Sequence, residues 1–211
     1  MCGRYFIDEN TYDRMMEIAQ EAGLPVVNLS GRPSQAGRGE KQEEKREEKR
    51  EEKRDVLPSQ KVPVLTDQGF CSMQWGFHLQ QALLINARAE TAAQKKTFSQ
   101  SLLHRRCIIP AAGYYEWNPA REKVTFRRRD RELMFFAGLY RYEEEDPRYC
   151  ILTTRANLST RMVHDRMPLI LDKAEIADWL CRPESSAALL KKEPAALDRE
   201  QDYEQLTFSF D

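Results

Sequence analysis

Cys2 carries the most distinctive chemistry in the chain. Loss of Met1, usual where the second side chain is as small as cysteine, leaves a residue whose α-amine stands beside its thiol. Such a 1,2-aminothiol condenses with an aldehyde. The amine forms an imine, and the thiolate then closes a five-membered thiazolidine. At neutral pH part of each group is unprotonated, the α-amine titrating near ~8 and a free thiol near ~8.5. The plainer alternative is that Cys2 is a small apolar filler at a strand start, and position alone favours it.

Three other segments place polar side chains where architecture does not demand them. Leu84-Ile85-Asn86-Ala87-Arg88-Ala89-Glu90-Thr91 reads as an apolar strand ending in polar residues. Asn86 can both donate and accept a hydrogen bond, and Arg88, two residues on, shares its face in an extended chain and can fork onto a phosphate. A turn asparagine followed by a surface arginine is the competing account. In Gly113-Tyr114-Tyr115-Glu116-Trp117 a glutamate sits among aromatic residues. Buried there, its carboxyl needs a partner or a raised pKa, which suits a general acid or base; facing water from an edge strand, it does neither. In Val163-His164-Asp165-Arg166-Met167-Pro168 the proline biases Met167 toward extended geometry, so His164 and Arg166 occupy a shaped loop. His164 can hold or move a proton near neutral pH. Of the aromatic residues, Trp75 and Trp117 are expected in the core.

These residues need a scaffold, and the chain's pattern indicates its class. Short β-like runs at 5–7, 70–75, 83–85, 106–109, 113–117, 124–127, 133–137 and 149–153 outnumber helices at 97–104 and from Asp172 to Cys181. A further helix is expected after Asp8, with Tyr12, Met15, Met16 and Ala19 on one face and Gly23 at its end. Strands and helices do not alternate, an α+β pattern with a mainly antiparallel sheet. At 211 residues the chain is expected to form one domain, interrupted at about 36–55 by three copies of Glu-Glu-Lys-Arg starting at Glu43, Glu47 and Glu51. With no apolar face, that insertion is expected to be solvated. The 33 basic and 34 acidic residues nearly cancel, so any nucleic-acid site must be a local groove. Five cysteines without a CxxC pair, and only three histidines, argue for reduced thiols and against a metal centre. No long apolar run or signal-peptide profile is present, and a cytoplasmic protein is expected.

As a set, Met-Cys-Gly-Arg, Asn-Ala-Arg-Ala-Glu-Thr, Gly-Tyr-Tyr-Glu-Trp and His-Asp-Arg-Met-Pro occur in that order over most of the chain. Together they resemble the SRAP (SOS-response-associated peptidase) family, whose members process abasic sites in DNA. The resemblance runs from Cys2 to about Leu180, apart from the charged insertion. It implies twisted, mainly antiparallel β-sheets forming a barrel-like core with peripheral helices, and a cleft for single-stranded DNA. It further implies a monomer without cofactor whose mature Cys2 forms a thiazolidine with the abasic aldehyde. Met1 is removed either by the protein itself or by an aminopeptidase. Carried over by position, Cys2 is the nucleophile, Asn86 positions the sugar, Glu116 is the catalytic glutamate and His164 aids ring opening. Arg4, Arg88, Thr153 and Arg166 match backbone-phosphate contacts. Two positions depart from the family pattern: Asp55 stands where many members have asparagine, and the loop His78-Leu79-Gln80-Gln81 lacks the usual tryptophan pair. Two rivals remain: an N-terminal-nucleophile amidotransferase, which would hydrolyse glutamine, and a non-covalent single-strand binding module, whose complex would not survive boiling in detergent.

Overall fold

The computed structural model describes residues 2–26 and 53–201. In chain order the elements begin with β1 (Arg4–Ile7), α1 (Thr11–Glu21), β2 (Arg54–Val56), β3 (Lys61–Thr66), β4 (Gly69–Trp75), β5 (Phe77–Leu79), β6 (Ala82–Leu84), β7 (Asn86–Arg88), α2 (Ala89–Ala92) and α3 (Lys96–His104). They continue with β8 (Arg106–Ala111), β9 (Gly113–Trp117), β10 (Lys123–Arg128), β11 (Met134–Glu143), β12 (Asp146–Arg155), β13 (Arg166–Pro168), β14 (Ile170–Leu171), α4 (Ile176–Cys181), α5 (Ser186–Leu189) and β15 (Leu197–Gln201).

Hydrogen-bonded neighbours run β12-β4-β3-β8-β11 and return to β12, so five strands close into a barrel with no free edge among them. Only the β12–β4 pairing in that ring is parallel. Side-chain alternation sorts the barrel strands into two faces. Leu65, Ile108, Phe135, Ala137, Leu139 and Leu152 pack with α1, α3 and α4. Val64, Met73, Trp75, Ile109, Phe136, Tyr149 and Ile151 pack with one another and with β1, β9 and β10. At Gly138 a Cβ would collide with Ile109 and Cys107, so this inner face is filled by close packing. The second sheet, β15-β10-β9-β1-β2, is antiparallel where its strands pair and carries two of the four chemical segments. The fold is α+β and mainly antiparallel, as the sequence pattern implies, with the barrel core and outer helices that the family resemblance implies.

Helix termini follow local chemistry. Gly23 has φ +69°, and the Leu24 N–H reaches back to the Ala19 carbonyl, which closes α1. Asp172 and Glu175 cap each other's backbone before α4. The buried Arg106 guanidinium donates to the Leu102 and Leu103 carbonyls of α3 and to the Leu180 carbonyl of α4. One side chain therefore satisfies carbonyls at the C-terminal ends of two helices.

Two expectations are corrected here. Most of the charged insertion lies outside the described residues; at its C-terminal end the side chains of Arg54 and Asp55 are exposed, as expected of a solvated segment, but the backbone is an ordered strand. Arg54 and Asp55 belong to β2, with Ile7 opposite Arg54 and Phe6 opposite Asp55. Backbone pairing needs no apolar side chain, and fully buried Val56 anchors the strand. Trp117 is not a core residue: it is 38% exposed and lies under the Arg4 guanidinium, 5.4 Å from the ring centre.

Candidate active site

Strand register brings the first residues of the chain to the glutamate segment. Arg4 pairs with Tyr115 in the antiparallel β1–β9 ladder, so residues before Arg4 run beside those after Tyr115. At Gly113 a Cβ would strike the Phe6 ring and the Phe126 carbonyl, and only glycine lets β1 and β10 approach so closely there. Alternation along β9 then puts Tyr114 and Glu116 on one face and Tyr115 on the other, against Phe6.

Cys2 is fully buried, and its thiol donates a long bond to the Arg4 carbonyl at 3.9 Å. Burial, reinforced by the Glu116 charge, pushes the thiol pKa well above the ordinary range. This departs from the partly ionised thiol expected from sequence. Reference values apply to solvated groups, whereas here the anion would have no water. With Met1 attached, the nitrogen of residue 2 is an amide, so the aminothiol is absent as well as un-ionised.

Glu116 is 4% exposed, and burial raises its carboxyl above the usual range, with the His164 charge opposing. Of the two states proposed by the sequence, the buried one holds. The Asn86 amide donates to the Cys2 carbonyl at 2.9 Å, while its Oδ1 is buried and accepts no bond among the described residues. Asn86 reaches Cys2 because β7 runs parallel to β12, with Asn86 opposite Ile151. His164 follows a tight turn in which its N–H bonds to the Thr160 carbonyl at 3.1 Å. Two groups lie 2.9 Å from its Nδ1, the Arg166 N–H and an Asp165 carboxylate oxygen. The backbone donor has a fixed direction, and Asp165 is 82% exposed and free to turn to water. We therefore assign Nδ1 as the acceptor, which leaves the proton of a neutral ring on Nε2.

The phosphate candidates divide in two. Arg88 is exposed and forms no ion pair among the described residues. Arg4 is 38% exposed, pairs with Asp55 at 3.6 Å and stacks on Trp117. Arg166 is different. Its side chain is only 8% exposed, it grips Glu90 with bonds of 2.7 and 2.8 Å, and it donates to the Thr153 carbonyl at 2.6 Å. Thr153 is fully buried, its hydroxyl directed to the Ala87 carbonyl at 3.5 Å. In the chain without DNA, Arg166 and Thr153 are thus buried and bonded within the protein, unlike the more accessible Arg88 and Arg4. Sequence reading missed Glu90 as partner because 76 positions separate it from Arg166. The Asp55 contact to Arg4 was also missed, and Tyr114, whose ring could offer a stacking surface to a base, is fully buried. Among the described residues no group of three or more His, Cys, Asp or Glu could hold a metal ion.

Asn86 is thus bonded to Cys2, the Glu116 charge acts on the Cys2 thiol, and the His164 charge acts on Glu116, although the four are remote in sequence. Residues 1–206 match the family described as SOS response associated peptidase (SRAP). The chain belongs to that family. Among its relatives, the abasic site processing protein YoqW of Bacillus subtilis is 34% identical over 146 residues, covering 60% of this chain and 65% of YoqW. The match thus spans slightly under two thirds of that relative. The abasic site processing protein YedK of Escherichia coli is 29% identical over 194 residues, covering 85% of this chain and 79% of YedK. A crystal structure of a Bordetella bronchiseptica protein superposes with a TM-score of 0.68 at 20% identity, covering 96% of this chain and 100% of that one, a likeness of fold. No helix of the described residues is long and apolar enough to cross a membrane.

Proposed function

We propose that this SRAP protein traps abasic sites in single-stranded DNA, as a cytoplasmic monomer, through a thiazolidine at mature Cys2. The observation that carries the reading is the juxtaposition of Cys2 with a buried, protonatable carboxyl, that of Glu116. Once Met1 is removed, the Cys2 amine attacks the open-chain aldehyde of the abasic sugar, and loss of water gives a Schiff base. Glu116 serves as acid and base: it protonates the departing hydroxyl, then takes the thiol proton as sulfur attacks the imine carbon. The carbon–sulfur bond forms as the imine electron pair returns to nitrogen, which closes the ring without oxidant or reductant. The raised Glu116 pKa suits both halves of this exchange. The free Asn86 Oδ1 accepts a bond from the sugar or the amine, and the His164 Nε2–H donates to the ring oxygen during opening. Arg88 and Arg4 hold the flanking phosphates, which makes binding salt-dependent.

The decisive test is incubation of the mature chain with abasic single-stranded DNA, then boiling in detergent and intact-mass analysis. A one-to-one adduct that is lost in Cys2→Ala supports the reading. An equally stable adduct from Cys2→Ala refutes the thiazolidine and points to another nucleophile. No adduct, together with glutamine hydrolysis, would favour the amidotransferase; binding that does not survive boiling would favour the non-covalent module.

A further inference from the structure

Three fully buried tyrosines share the packing cluster of Cys2, and they are not equivalent. Tyr5 of β1 and Tyr149 of β12 share one hydrogen bond, hydroxyl to hydroxyl, at 2.8 Å. Tyr114 of β9 has no such partner. Its ring is fixed, stacked 5.1 Å from Phe126 and edge-on to Phe136 at 6.0 Å. Its hydroxyl is buried and forms no hydrogen bond among the described residues. A lone buried hydroxyl carries a desolvation cost that no hydrogen bond offsets. Phenylalanine would fill the same site without that penalty, so the oxygen asks for a role. Tyr114 lies two residues from Glu116 on the same face of β9, and Cys2 packs in the same cluster. Cys2 and then Glu116 are the charges that weigh most on its ionisation after burial, which itself keeps the phenol protonated.

From this placement we infer that the Tyr114 hydroxyl is a positioning group for the Cys2 sulfur, donating a hydrogen bond to it as negative charge develops during ring closure. The inference rests on the function proposed above and extends it. The thiol proton passes to Glu116, the phenol keeps its own proton, and the hydrogen bond offsets part of the desolvation that holds the thiol un-ionised. The ionisable groups facing the sulfur are Tyr114 and Glu116 from β9, Tyr5 from β1 and Tyr149 from β12, while His164 acts through Glu116. The Tyr5–Tyr149 bond commits one of those two hydroxyl protons and ties both oxygens together, whereas the Tyr114 hydroxyl is bonded to nothing among the described residues.

The test is Tyr114→Phe in the full mature chain, read in two ways. The first is the pH–rate profile of adduct formation with abasic single-stranded DNA. The second needs no DNA: the pH dependence of iodoacetamide alkylation at Cys2, followed by the mass of the N-terminal peptide. The expected result is crosslinking slowed about tenfold, an alkylation midpoint about one pH unit higher, unchanged affinity for intact DNA and an undiminished melting temperature. An alkylation profile identical to the parent's would overturn the inference, and so would a loss confined to DNA affinity. If Tyr114→Phe melts early, Tyr114→Trp replaces it, and a parental alkylation midpoint in that variant is again fatal. A parent chain that forms no adduct defeats the proposed function, whereas the alkylation midpoint still decides the role of Tyr114.

Discussion

Replacing Arg166 with methionine separates a structural arginine from a phosphate-binding one. Methionine keeps most of the aliphatic stem and deletes the fork. Lost are two charge-assisted bonds to Glu90, at 2.7 and 2.8 Å, and one to the Thr153 carbonyl at 2.6 Å. Bonds to charged groups contribute roughly 1.5–3 kcal/mol each when buried, but Glu90 is 39% exposed and water will recover much of its share. The net destabilisation should be about 2–3 kcal/mol, or roughly 5–10 °C in melting temperature for a chain of this length. The pH dependence has a definite sign. The hydrogen bonds from Arg166, the largest influence, hold the Glu90 carboxyl below its usual value. A depressed carboxyl stabilises the fold above its unfolded pKa and ceases to do so as pH falls through its folded one. The gap between parent and Arg166→Met should therefore narrow in acid. Thermal melts across pH 3 to 8, with DNA affinity measured by fluorescence anisotropy at several salt concentrations, decide the matter. A variant that melts like the parent but loses about 0.7 from its salt slope would refute the argument and restore Arg166 as a phosphate contact.

Three further outcomes are expected. Asp55→Asn should free Arg4, tightening intact single-stranded DNA severalfold and steepening the salt slope by up to ~0.7; anisotropy showing no change would mean that the 3.6 Å pair does not compete with phosphate. Glu116→Gln should slow adduct formation about a hundredfold with affinity unchanged. It should also abolish the fall in rate expected for the parent as pH drops through the raised carboxyl pKa, an acid limb that lies above the ordinary value of 4.5. Deleting residues 40–52, which carry no apolar side chain and stop short of β2, should leave the melting temperature and crosslinking as they were; loss of a cooperative melt would assign the run a structural part.

What was legible in the sequence depended on how local its cause was. Gly113–Trp117 matches its expected strand end to end, and α3 starts one residue early, because alternation and periodicity are properties of neighbours. Strand β2 was hidden because its pairing with β1 is a backbone matter, and its side chains look like the preceding repeat. Ile85, read as strand, falls between β6 and β7, where its carbonyl accepts from the Trp75 indole and the Ile151 amide. The four motifs named the candidate residues, but their states were not legible. The bidentate pairing of Arg166, the exposure of Trp117 and the raised Cys2 thiol all depend on groups more than 70 residues away or on exclusion of water. Composition carries no record of either.

The Asn86 bond to Cys2 has a consequence for how often the protein could act. Cys2 has three functional groups: an amine released by loss of Met1, a thiol, and a carbonyl. Ring closure consumes the first two, and hydrolysis of the ring would return them. The carbonyl takes part in no step, and it is the group that Asn86 holds at 2.9 Å. Under the proposed mechanism, one clamp would serve precursor, free and adduct states without being remade. The first residue of the chain, ordinarily the most prone to fray, is registered by an anchor indifferent to the chemistry beside it. Release of DNA would then leave the nucleophile already in place, and the limit on a second round would be the lifetime of the ring itself.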